Sequence, residues 1–173
     1  GFDIDYAAYQ KAISYGFVGK NDRKIEDLNS FIKTYPKSQF RDDAQYELGN
    51  TYLAEKKEDL ALKSYDQLIN ESKNGSYAAK ANLRQGLIYY NSKKDELALA
   101  KFKKIAAEYP NTPEALEAVT TARLIYVDNG KVEEYATWVR TLDFVAVTDL
   151  ELDNDTFEAA EKQLGQGNNK QAI

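Results

Sequence analysis

Residues 81–110 read ANLRQGLIYYNSKKDELALAKFKKIAAEYP, and this stretch decides the fold. Gly86, Tyr89, Ala98, Phe102 and Pro110 punctuate two short amphipathic helices joined by a turn. Ala98, Phe102, Ile105 and Ala106 recur at the helical period, as do Ile25, Leu28 and Ile32 earlier in the chain. An alternating strand pattern is absent from both runs.

Working outward, the same pattern returns every 37 residues. Tyr15, Tyr52, Tyr89 and Tyr126 keep that interval, and so do Ala7, Ala44, Ala81 and Ala118. Leu28, Tyr65, Phe102 and Val139 form another register, and Phe31, Leu68, Ile105 and Leu142 a further one. A fixed period of this length marks a helical repeat array, in which each unit buries its apolar face by stacking on its neighbour. The expected fold is all-α: a solenoid of antiparallel helix pairs with a 37-residue repeat. The expected helices are 5–18 and 21–35, 40–54 and 58–72, 76–91 and 95–108, and 113–127 and 131–141.

Local chemistry sets the boundaries. Tyr35-Pro36 and Tyr109-Pro110 each stop a second helix, because proline lacks the N–H and restricts the residue before it. Ser38 and Thr112 are then expected N-caps, and Pro113 suits a first helical position. Gly19 and Gly130 sit at turns where positive φ is easy. Lys56 and Lys93 hold the same place in the middle units, so those turns must differ or carry strain. Past Leu142 the pattern breaks. Residues 143–148 read as extended, and a helix over 156–165 is expected, capped by Asn154 or Asp155. The domain reading is therefore four helix pairs over 1–142, then an extended segment and the start of a truncated fifth repeat over 143–173. Gly167 and Ala172 keep the register of that fifth unit.

Composition narrows the chemistry. The net charge of −5 and pI near 4.9 disfavour non-specific nucleic-acid binding. The chain has no Cys, His or Met, which removes a disulfide framework, most metal-ligand sets and most nucleophile–base pairs. Asp42-Asp43 and Glu133-Glu134 are neighbours on helices and point in different directions, so neither suits a two-carboxylate mechanism. Asp149, Glu151 and Asp153 have the opening spacing of a calcium loop, but Asn154 stands at its glycine and Ala160 at its bidentate ligand. No catalytic residue, cofactor or metal is expected. No apolar run approaches the roughly 20 residues of a membrane span. Gly1, in place of an initiating Met, reads as a processing scar from which any targeting segment has been removed.

The spacing Leu48-Gly49-x2-Tyr52-x8-Ala61-x3-Tyr65 resembles the tetratricopeptide repeat, as does Gly86-x2-Tyr89-x8-Ala98-x3-Phe102-x7-Pro110. The resemblance is closest in units two and three. Unit one has Lys24 and unit four Tyr135 where the small residue of the second helix belongs, and Arg123 replaces the unit-four glycine. The Tyr-Pro-x-Ser/Thr turns resemble those of bacterial envelope members, such as the coordinator of the Tol–Pal system and the lipoprotein of outer-membrane assembly.

The resemblance implies a protein- or peptide-binding scaffold in a bacterial envelope assembly, periplasmic or outer-membrane-associated, and not an enzyme. A sensing module of a larger protein, a glycan-binding uptake lipoprotein and a cytoplasmic location are the alternatives. It also implies a right-handed superhelical solenoid with a groove lined by the first helix of each pair. There a partner is expected to touch Tyr46, Asn50, Lys80, Leu83, Arg84 and Tyr90. Lys80 and Arg84 match two positions of the carboxylate clamp of chaperone-binding relatives. Tyr9, Ile13 and Glu47 occupy the other three, so chaperone-tail binding is not expected.

Overall fold

Amphipathic segments of this length form helices only when a neighbour covers the apolar face. The computed structural model describes residues 4–72 and 75–166. Among them are nine helices and no strand: α1 Ile4–Phe17, α2 Asn21–Thr34, α3 Arg41–Ala54, α4 Glu58–Glu71, α5 Ser76–Asn91, α6 Asp95–Glu108, α7 Pro113–Asp128, α8 Val132–Val139 and α9 Asp149–Gly165. The chain forms two compact parts, residues 1–85 and 86–173, and α5 runs through the boundary.

In the first part, α1 packs on α2, α2 on α3 and α3 on α4. Tyr9, Ala12, Leu28, Phe31, Ala44 and Leu48 form one buried cluster, flanked by Ile13, Ile25, Phe40 and Tyr52. Tyr65 and Leu68 of α4 are fully buried. Burying side chains of this size contributes about 1.5–3 kcal/mol each, which offsets the entropy of ordering them. Gly49 is where α3 and α4 approach: a Cβ there would overlap the Tyr65 ring.

In the second part, a Cβ on Gly86 would lie 2.5 Å from the Phe102 ring, so the third pair repeats the close approach. Helix α7 packs against α6, α8 and α9. Ala106, Val119, Tyr126, Tyr135, Val139 and Leu152 are buried together, with Leu142, Phe144, Val145 and Val147 packed against them. Of the repeating tyrosines, Tyr126 is buried, while Tyr52 and Tyr89 are half-buried.

The turns follow the register. Gly19 and Gly130 have φ of 70° and 67°, and Lys56 and Lys93 both have φ of 58°. The two lysines thus adopt the glycine conformation, which crowds Cβ against the backbone. Thr112 caps α7, its Oγ1 accepting from the Ala115 N–H at 3.1 Å.

Two caps differ from expectation. Helix α3 begins at Arg41 with Phe40 at the cap position and no side-chain cap bond. Ser38 lies upstream, donating to Asp5 at 2.6 Å and accepting from the Phe40 N–H at 3.2 Å. Helix α9 begins at Asp149, not at 156, because Thr148 and Glu151 form a reciprocal capping box. Asp155, expected as a cap, is buried mid-helix beside Arg123. Gly167 and Ala172 lie outside the described residues.

Candidate peptide-binding site

Within residues 4–85, hydrogen bonds and ring contacts link the first helices of successive pairs. Tyr9 of α1 donates its phenol to the Asp43 carboxylate of α3 at 2.6 Å, and the charge of Asp43 also acts on Tyr77 of α5. The Tyr46 ring lies 5.6 Å from Tyr77 and 5.9 Å from Tyr65. Arg84 donates from Nε to the Tyr46 hydroxyl at 3.0 Å. The Lys80 ammonium sits 4.8 Å over the Tyr77 ring, a cation–π contact. Tyr65 reaches up from α4 and donates to Asn50 Oδ1 at 2.7 Å.

Burial pushes the Tyr9 phenol well above its ordinary range, and the hydrogen bond to Asp43 adds to the shift. Tyr77 is pushed up to about 12, by burial first and then by the charge of Asp43. Tyr65 is raised chiefly by burial. These phenols remain protonated donors at neutral pH.

A recess of about 330 Å³ opens between α1 and α3, lined by Ile13, Gly16, Phe17, Asn21, Lys24, Glu47, Asn50, Thr51 and Ala54. Lys24 lies on its floor, with a side chain only 12% exposed, and donates to Glu47 Oε2 at 2.7 Å. Asn50 donates to the other oxygen of Glu47 at 3.3 Å. Gly16 leaves room for the lysine stem: a Cβ there would meet Lys24 Cδ at 3.1 Å. On the rim Phe17 is 85% exposed, beside Val18 at 66%. The recess thus pairs a neutralised polar floor with an aromatic edge. That arrangement can seat one apolar or amide-bearing side chain and can supply hydrogen bonds, but it offers no activated nucleophile.

The structure joins Tyr46 to Arg84, and sets Lys80 on Tyr77 and Asn50 on Tyr65 and Glu47. Leu83 is 7% exposed and serves packing more than contact. Tyr90 belongs to residues 86–173, where it is half-buried with Lys93 5.8 Å from its ring. Sequence reasoning missed the roles of Tyr65, Tyr77 and the Lys24–Glu47 pair. A different signal links successive units: Tyr9–Asp43, Asn21–Glu55, Asn129–Asp95 and Lys162–Asp128 are all polar pairs 34 residues apart.

The acidic tail has structural partners. Arg123 of α7 makes a forked pair with Asp155, which is 1% exposed, and that hydrogen bond raises the arginine further above its ordinary value. The Glu151 carboxyl is held below the usual range by its bonds to Thr148. Among the described residues, no group of three or more carboxylates is placed to hold a metal ion. No described helix is long and apolar enough to cross a membrane.

Comparison with solved structures shows the same fold. A tetratricopeptide repeat protein from Parabacteroides merdae superposes with a TM-score of 0.67 at 16% identity, over 97% of this chain and 62% of that one. This chain thus spans less than two thirds of that relative. The nearly identical TPR-like repeats of a Podosopora anserina protein give a TM-score of 0.58 at 16% identity, over 96% of this chain and 89% of that one. MamA AMB-1 gives 0.58 at 16% identity, over 98% and 86%. No curated protein matches the chain. The tetratricopeptide repeat family model matches residues 6–38, 43–74 and 80–112. These segments cover more than half of the chain and start at the 37-residue interval, and the chain belongs to the tetratricopeptide repeat family.

Proposed function

We propose that the groove over α1, α3 and residues 76–85 binds an extended segment of a partner protein, within an assembly of the bacterial cell envelope. The observation that carries the groove reading is the recess between α1 and α3, with exposed Phe17 on its rim and the paired Lys24 and Glu47 on its floor. Rigid aromatics offer a ligand large contact area with few rotamers to freeze. Tyr46, Asn50, Lys80 and Arg84 form a polar track whose cations favour an acidic segment, and Leu83 supports it from below. The Tyr-Pro-x-Ser/Thr turns support the envelope setting and a periplasmic or outer-membrane location.

Capture from native envelope supplies the ligand, and calorimetry with the purified chain measures its affinity. Phe17→Ser with Tyr46→Ala is expected to weaken binding by at least about 2 kcal/mol. Arg84→Glu should mainly slow association. Unchanged affinity in these variants, with loss on charge reversal at Lys101, Lys103 and Lys104, would place recognition on a second-helix face and sink the groove reading. Fractionation of native cells that finds the protein in the cytoplasm would sink the envelope setting alone.

A further inference from the structure

The recess between α1 and α3 is a departure from the repeat. Gly16 stands where the later units have Leu53, Tyr90 and Val127, at intervals of 37. Lys24 stands where they have Ala61, Ala98 and Tyr135. One change removes a side chain and the other brings in a cation, and the two meet: a Cβ on Gly16 would lie 3.1 Å from Lys24 Cδ and 3.4 Å from its Nζ. Glu47, which holds that cation, has Gln10, Arg84 and Thr121 at its own register. The residues that shape the recess are thus particular to it, and the stacking of repeats does not call for them.

The hydrogen bonds on the floor leave a defined remainder. An ammonium has three N–H donors, and among the described residues Lys24 Nζ uses one, on Glu47 Oε2 at 2.7 Å. Asn50 Oδ1 is taken by the Tyr65 hydroxyl at 2.7 Å, and its NH2 reaches Glu47 Oε1 at 3.3 Å. Each Glu47 oxygen thus holds one donor and has a lone pair for another. The floor offers N–H donors and carboxylate lone pairs side by side, and its two charges cancel.

That remainder selects the incoming group. A carboxylate would meet Lys24 but oppose Glu47, an ammonium the reverse, and either would give up its own hydration. An apolar side chain would displace water from the pair and return no hydrogen bond. A primary amide carries an acceptor and a donor on one carbon, so it can meet both members of a pair 2.7 Å apart without adding charge. A backbone peptide group cannot, because its C=O and N–H point to opposite sides. On the basis of the groove proposed above, we infer that the recess is the seat of one glutamine side chain of the partner segment. Its carbonyl accepts from Lys24 Nζ, its NH2 donates to Glu47, and its two methylenes lie along Ile13 and the Phe17 rim.

Four terminally blocked peptides, Asp-Ala-X-Ala-Asp with Gln, Glu, Lys or Leu at X, probe the purified chain by NMR titration. The amide signals of residues 13–24 and 47–54 should shift, and the Gln peptide should bind at least about fivefold more tightly than the other three. Lys24→Ala restores the alanine of the second and third units and should abolish the preference for Gln over Leu. Glu47→Gln leaves the lysine charge uncancelled and should turn the preference from Gln to Glu. Equal binding of Gln and Leu, or tightest binding of Glu or Lys to the parent chain, would overturn the inference while the groove stood, since the recess signals would still move. Recess signals unmoved by all four peptides would overturn it as well, and shifts on residues 95–108 instead would take the groove with it.

Discussion

The second and third helix pairs cross through glycine, and the fourth crosses without it. Gly49 faces the Tyr65 ring and Gly86 the Phe102 ring, so backbone lies against aromatic face. At the same register the fourth pair has Arg123 and Val139. Valine is too short to demand a bare backbone, and arginine carries its charge out to buried Asp155 of α9. The contrast shows how a repeat departs from its pattern. The interior pairs are held by shape; the fourth exchanges shape for a forked ion pair that fixes the following helix.

Three substitutions test that contrast. The largest effect is expected at the ion pair. Arg123→Met leaves the Asp155 carboxylate buried beside no cation, at a cost of about 3–5 kcal/mol, and Asp155→Leu added to it should restore most of the loss. Urea unfolding reads both; a single variant as stable as the parent would mean that water reaches Asp155. Next comes Gly86→Ala, whose methyl must displace the Phe102 ring, at about 1–3 kcal/mol. Phe102→Leu in the same chain should lessen the penalty of the added methyl, which a double-mutant cycle can resolve. The smallest effect compares turns. Lys93 holds a positive φ of 58° where Gly130 holds 67° in the next repeat. Lys93→Gly should stabilise by up to about 1 kcal/mol, and Gly130→Lys should destabilise by a similar amount. Equal and opposite shifts in thermal unfolding would confirm that the two turns share one geometry.

The regular part of the fold was legible from the 37-residue interval, because stacking repeats the same burial at the same positions. Helices α1–α7 begin and end within a residue of the expected ranges. Helix α9 was read seven residues too short, although Thr148-x-x-Glu151 carries a capping-box signal; Asp155 offered a competing cap, and only burial shows that it serves Arg123 instead. The register marked candidate groove residues, but not the side chains that they contact. Whether Asn50 faces a ligand or accepts from Tyr65 depends on where a side chain of another helix ends. Leu83 illustrates the same limit: its register marks the groove, and its burial assigns it to packing.

The chain has thirteen tyrosines and a single tryptophan, Trp138. Its ring lies 6.4 Å from both Tyr126 and Tyr135, with the Lys103 ammonium 5.7 Å away. At that separation a tyrosine excited by ultraviolet light passes its energy to the indole before it can emit. Light that both rings absorb therefore yields more tryptophan emission, at the junction of α7 and α8, than the indole's own absorption supplies. Opening of the fourth pair would remove that excess, so the parting of this pair could be followed by comparing excitation of both rings with excitation of the indole alone, with no label attached.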